Sequence, residues 1–153
     1  MSDLNITAPR YALLEGRTQC WTCHAAIPVT AIWIAEFLDC EDEEYPERGE
    51  TAVLHYIQQL DPETLAHLAQ MAPWVKSGYS NAAGLAYLSN HCEVCGSLQG
   101  DHHVMGVNGP FFPQDEASLE ALVVIPGHGQ IAAAATPAQS SWMDKVRLPA
   151  GAE

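Results

Sequence analysis

Cys20 and Cys23 form one Cys-x-x-Cys pair, and Cys92 and Cys95 form a second. A two-residue gap lets one tight turn aim both sulfurs at a single ion, and two such turns supply the four thiolates of a tetrahedral site. Sixty-eight residues separate the pairs. That is far more than in a compact finger, but loop-closure cost grows only with the logarithm of length, so one shared site is expected. Gly96 directly after Cys95 suits a knuckle that needs a positive φ beside its second ligand. The expected metal ligands are Cys20, Cys23, Cys92 and Cys95, holding one structural zinc per chain. Four thiolates leave no open position for water, so such an ion supports the fold and does not activate a nucleophile. A rubredoxin-like iron centre uses the same four ligands and stays open as an alternative.

Other chemistries share some of these letters. Cys20-Trp21-Thr22-Cys23-His24 has the C-x-x-C-H form of a haem attachment site. It would leave Cys92 and Cys95 unexplained, and residues 1–10 lack the basic and then apolar pattern of a secretory leader. His91-Cys92-Glu93 has the H-x-E of zinc deaminases, but no later P-C-x-x-C follows it. Neither pair sits at the strand-to-helix junction of a βαβ unit, which weighs against thioredoxin-type exchange. Cys40 reads as a small buried apolar residue. Asp101, His102 and His103, with His91 and His128, offer a second metal site of lower rank. No GxSxG, P-loop, Rossmann fingerprint or HExxH occurs, so an enzyme reading has no anchor.

The elements that must position the cysteines follow from patterning. The 153 residues suit one domain, and we expect it to span 1–126, with an acidic insert near 40–50 and a C-terminal tail at 127–153. Residues 1–18 read as an arm or short strand. Ile27 to Phe37 is apolar and β-branched and predicts a strand leaving the first knuckle. Glu41, Asp42, Glu43, Glu44, Glu47 and Glu50 around Pro46 and Gly49 predict a solvated loop, and Ala52 to Leu60 a strand. Asp61-Pro62-Glu63-Thr64 is a helix start, with a capping carboxylate and proline in the first turn. Gly78 to Asn90 predicts one strand returning to the second knuckle. Asp115 to Val123 predicts a short helix, because Leu119, Leu122 and Val123 recur at helical spacing. The expected fold class is α+β: a zinc-ribbon-like four-cysteine core with a helix and strands inserted between the knuckles.

The segment Asn90-His91-Cys92-Glu93-Val94-Cys95-Gly96-Ser97-Leu98-Gln99-Gly100-Asp101, with Tyr79-Ser80 before it and Gly109-Pro110-Phe111-Phe112-Pro113 after it, resembles an uncharacterised group of bacterial proteins. That group carries a C-W-x-C knuckle and an N-H-C-x-x-C-G-x-x-Q-G-D segment, and Cys20-Trp21-Thr22-Cys23 matches the former. The resemblance implies the same four cysteine ligands and a turn made by Gln99, Gly100 and Asp101. It brings no activity. The group has an aromatic or aliphatic pair where this chain has His102 and His103.

Charge bounds the function. Asp and Glu number 19 against 6 Lys and Arg, a formal net charge of −13. Phosphate backbones are repelled, so nucleic acid is not the expected partner, while a protein with a basic surface is attracted. No apolar run reaches membrane-spanning length, and cysteines kept as metal ligands suit the reducing cytoplasm. The expectation is therefore a small acidic, cytoplasmic zinc-binding protein that acts by protein–protein interaction. Such a protein could inhibit or neutralise a basic nuclease or toxin. The alternative is a metal-dependent enzyme or rubredoxin-like redox protein using the four-cysteine site, or a second site at Asp101, His102 and His103.

Overall fold

The computed structural model describes residues 4–106 and 109–148. Its centre is β3 (Ala26–Asp39), fourteen residues long and buried along most of both faces. A strand covered on both sides needs apolar residues at successive positions, and Ile27 to Phe37 supplies them. The side chains alternate between two cores. Ile27, Val29, Ala31, Trp33 and Ala35 enter one, while Ile32 and Ile34 enter the other, as the two-residue repeat of a strand requires.

β1 (Ile6–Ala8) and β2 (Arg10–Gln19) pair with β3 in one antiparallel register, from Ile6 opposite Asp39 to Gln19 opposite Ala26. They part at Pro9, which has no amide hydrogen to give to a ladder. The facing Glu36 adopts φ +56° and pairs with Arg10 at 3.7 Å. β8 (Val123–Pro126) lies along the far edge of β2, and β9 (Ile131–Ala138) along that of β1. β4 (Glu47–Leu60) pairs with β3 through its first half and with β9 through its second. Pairings thus run in a closed circuit from β1 to β3, β4, β9 and back to β1. One core gathers Ile6, Ile34, Leu54 and Ile131 from every strand of that circuit, with Leu13 from β2.

Helix α1 (Pro62–Met71) adds Leu68 to this core. It begins as expected: the Asp61 carboxylate accepts from the Thr64 amide at 3.1 Å and from the Thr64 hydroxyl at 2.7 Å. The hairpin of β5 (Val75–Ser80) and β6 (Leu85–His91) joins β4 through Ile57 opposite Leu88, and β7 (Leu98–Gln99) pairs with the end of β6. Short helices α2 (Asp101–Val104) and α3 (Glu116–Glu120) follow. The second core, on the opposite side of β2 and β3, holds Leu14, Val29 and Trp33 with Phe111, Leu122, Trp142 and Met143. The last two come from a 3-10 turn, Ser141–Lys145.

Three expectations change. The chain is mostly antiparallel β and more strand-rich than an α+β fold, with α1 its only helix longer than five residues among the described residues. Gly78 to Asn90 is not one strand. Gly84, at φ +72°, turns the chain between β5 and β6. The sheet also does not stop at 126, because β9 lies between β1 and β4. Alanines in Ile131–Ala138 carry little sequence signal for a strand, yet they fit where two neighbours crowd closely. Residues 149–153 of the expected tail lie outside the described residues. Among the described residues no helix is long and apolar enough to cross a membrane.

Candidate metal centre

Each cysteine pair occupies the turn of a hairpin. Cys20 and Cys23 lie between β2 and β3, and Cys92 and Cys95 lie between β6 and β7. The structure brings all four sulfurs within 4.8 Å of one another, close enough to hold one metal ion. Cys20 Sγ is 3.6 Å from Cys95 Sγ, and Cys23 Sγ is 3.7 Å from Cys92 Sγ. Those separations far exceed the ~2.05 Å of a disulfide, and the four cysteines are free.

The two turns repeat the same local structure. In the first, His24 N–H donates to Cys20 O at 2.9 Å and Cys20 N–H to Ala25 O at 2.8 Å; in the second, Gly96 donates to Cys92 O and Cys92 to Ser97 O, both at 2.8 Å. The amides of Thr22 and Cys23 point at Cys20 Sγ (3.4 Å each), and those of Val94 and Cys95 at Cys92 Sγ (3.3 Å each). Donors so placed favour thiolate over thiol. Both turns close through a left-handed residue: Gly96 at φ +82°, as anticipated, and His24 at φ +65°. His24 is thus a backbone element of the knuckle, a role its sequence position beside Cys23 did not advertise.

The inner sulfurs, of Cys20 and Cys92, are buried, while Cys23 and Cys95 are exposed. Burial raises the Cys20 thiol, but the Cys23 and Thr22 amides and the Cys95 thiol outweigh it and bring it down to about 6. At Cys23 the Ala25 amide acts downward, yet desolvation and the Cys92 and Cys20 sulfurs push it up to about 11. The Ser97 side chain and amide lower Cys95. The donor set is crowded enough that the thiols compete for negative charge. A cation between them removes that competition.

Gln99 completes the surroundings. It is fully buried, and its Nε2 donates to Cys20 Sγ at 3.3 Å and to Ser97 O at 3.0 Å, while its Oε1 accepts from the Trp21 amide at 3.3 Å. Trp21 Nε1 donates to Leu98 O at 2.8 Å, locking the first knuckle onto the second hairpin. Asn90 ties the same hairpin to β3: it accepts from Thr30 N–H at 2.7 Å and donates to Thr30 O at 3.0 Å.

Asp101, His102 and His103 do not converge. Asp101 is buried and accepts from the Tyr56 amide at 2.7 Å, and its own amide donates to Tyr87 Oη at 3.0 Å. Burial pushes its carboxyl up to about 6, against the Tyr56 hydrogen bond. Tyr56 stands at φ +51°, where the β4–β9 register shifts, so Asp101 holds an irregularity in β4. His102 is exposed, and His103 Nε2 lies 3.3 Å from Gln19 O. Cys40 is only half-buried, at the start of the acidic turn. Among the described residues the four cysteines are the one group of three or more His, Cys, Asp or Glu side chains that could share an ion.

The site and fold define a β-sheet protein with a four-cysteine cluster joining two hairpins. No protein-family model matches the chain, and no curated protein or solved structure matches it significantly.

Proposed function

We propose that the chain is a zinc-clamped, zinc-ribbon-like scaffold that acts by binding a protein with a basic surface. The four-sulfur geometry carries the first half of this reading. Zn–S bonds of about 2.3 Å put tetrahedral sulfurs about 3.8 Å apart, and the cross-hairpin pairs here are 3.6 and 3.7 Å apart. Four protein ligands fill the coordination sphere, which favours a structural ion over a catalytic one. The resemblance to bacterial proteins with C-W-x-C and N-H-C-x-x-C-G-x-x-Q-G-D belongs to the same proposal, as does a reducing, cytoplasmic setting.

The second half rests on charge. Glu41, Asp42, Glu43 and Glu44 are exposed on the turn between β3 and β4, beside an exposed Tyr45, and Glu47 is exposed at the start of β4. Among the described residues the sole ion pair is Arg10–Glu36, so none of these carboxylates is held in one. Such a field attracts basic partners, including a nuclease or toxin whose nucleic-acid groove it would occupy.

Metal analysis of the purified chain tests the clamp, with one colourless zinc per chain expected. Visible thiolate-to-iron absorption would instead establish the rubredoxin-like alternative. For the partner, E41Q/E43Q/E44Q is compared with the wild type in affinity capture at low and raised salt. Basic proteins held by the wild type should be released by salt and missed by the variant. Capture indifferent to both overturns the acidic-docking reading.

A further inference from the structure

A pair of histidines that no sequence motif joins meets between α1 and the turn that links β8 to β9. His67, on α1, and His128, in the turn between β8 and β9, have ring centroids 4.2 Å apart with planes tilted by 60°. The turn is seated by glycine. Gly127 N–H donates to the Tyr11 carbonyl at 2.9 Å, and a Cβ on Gly127 would come within 2.5 Å of the Tyr11 ring. Only glycine lets the turn lie flat on Tyr11 and carry His128 over His67.

Buried groups behind the pair orient it. Asp61, held ionised by amides and the Thr64 hydroxyl despite its partial burial, can only accept, so Thr64 Oγ1 gives it its proton across 2.7 Å. Tyr11 Oη and His67 Nδ1 share a hydrogen bond of 2.8 Å. An ion bound at Nε2 would select the tautomer in which Nδ1–H donates to the Tyr11 oxygen. His67 Nε2 makes no hydrogen bond, and no buried side-chain nitrogen or oxygen lacks a partner among the described residues. That atom therefore meets solvent, although His67 as a whole is 7% exposed. A ring whose Nδ1 is tied to an oxygen behind it and whose Nε2 is free in front is the arrangement that metal-ligating histidines adopt.

We propose that His67 and His128 form a second, solvent-facing metal site for borderline divalent transition ions such as Ni²⁺, Cu²⁺ or Zn²⁺, with water completing the coordination. Imidazole suits these ions, whereas the hard ions Ca²⁺ and Mg²⁺ need oxygen ligands. Among the described residues no third histidine, cysteine or carboxylate ligand joins the pair, so the site is open where the four-cysteine cluster is closed.

Ni²⁺ titration of the full chain, with its cysteine site already loaded, tests the proposal. Absence of thiolate-to-nickel absorption during the titration confirms that the cysteines have not exchanged. One added Ni²⁺ per chain is expected, broadening the His67 and His128 ring NMR signals. H128A, a change on an exposed turn, should weaken binding at least tenfold. Y11F should weaken it severalfold by removing the oxygen that holds Nδ1, while H102A/H103A should leave it unchanged. No added equivalent, binding by H128A within twofold of wild type, or loss in H102A/H103A would each overturn the site.

Discussion

At the scale of single residues, the metal cluster is shaped by what lies beside the cysteines as much as by the cysteines themselves. Gly96 and His24 close equivalent turns in the left-handed region, where a β-carbon costs about 1–2 kcal/mol. Gly96→Ala meets open space, so its effect is that backbone term alone: a loss of about 1 kcal/mol in urea unfolding. His24→Gly should be neutral or slightly stabilising, because relief of strain is opposed by glycine's greater chain entropy. Gln99→Ala removes the amide that bonds Cys20 Sγ. Outer-shell losses of this kind cost about 10–100-fold in metal affinity, measurable by competition with a chromophoric chelator. The cysteines that cluster were legible from sequence because a Cys-x-x-Cys turn is a local object. Gln99 was legible only as part of a resembling string, and His67 not at all, since its partners Tyr11 and His128 are set by strand pairing.

Among the elements, β4 shows how local propensity and tertiary demand divide the work. Its mixed apolar pattern marks a strand, but nothing in it announces the register shift after His55. That shift places Tyr56 at positive φ with its amide on the buried Asp101. The Asp61 cap of α1 needed only neighbouring residues and was readable, whereas the alanine-rich β9 became a strand because β1 and β4 each offered an open edge. Asp101 makes the β4 device pH-dependent. Its carboxyl titrates near 6 in the fold against about 3.9 in an unfolded chain. The fold therefore holds the proton more tightly, and Asp101's contribution is full below pH ~4 and is lost as pH rises through about 6. D101N keeps an oxygen for the Tyr56 amide and carries no charge. Its stability relative to wild type should rise between pH 4 and 7, by about 2–3 kcal/mol at most. Comparing urea midpoints of the two chains at each pH cancels cysteine protonation, which affects both alike. Asn90→Ala should cost about 2–4 kcal/mol at any pH, since it strands the Thr30 amide and carbonyl inside the sheet.

For the whole molecule, the cluster joins hairpins that otherwise share little. β6 meets β4 through a single paired position, Ile57 opposite Leu88, and β7 pairs only with β6. The β2–β3 hairpin, by contrast, is paired over ten consecutive positions and buried in both cores. Metal removal should therefore act unevenly. The strand circuit retains its apolar contacts without an ion, while β6, β7 and α2 lose the clamp that holds them to β3 and keep Asn90, Trp21, Asp101 and the core side chain of Val104 as ties. Chelation, or Cys20→Ser, should lower the melting temperature by more than about 10 °C, since each kcal/mol shifts a chain of this size by about 2–4 °C and metal binding is worth several. Far-UV circular dichroism at 20 °C should still report strands. Amide exchange should speed up first along β6, β7 and α2 and least along β2 and β3, where local opening requires breaking the buried ladder. An unchanged melting temperature after complete metal removal would show that the hairpins are held by packing alone, and uniform loss of protection would show that the circuit itself depends on the ion.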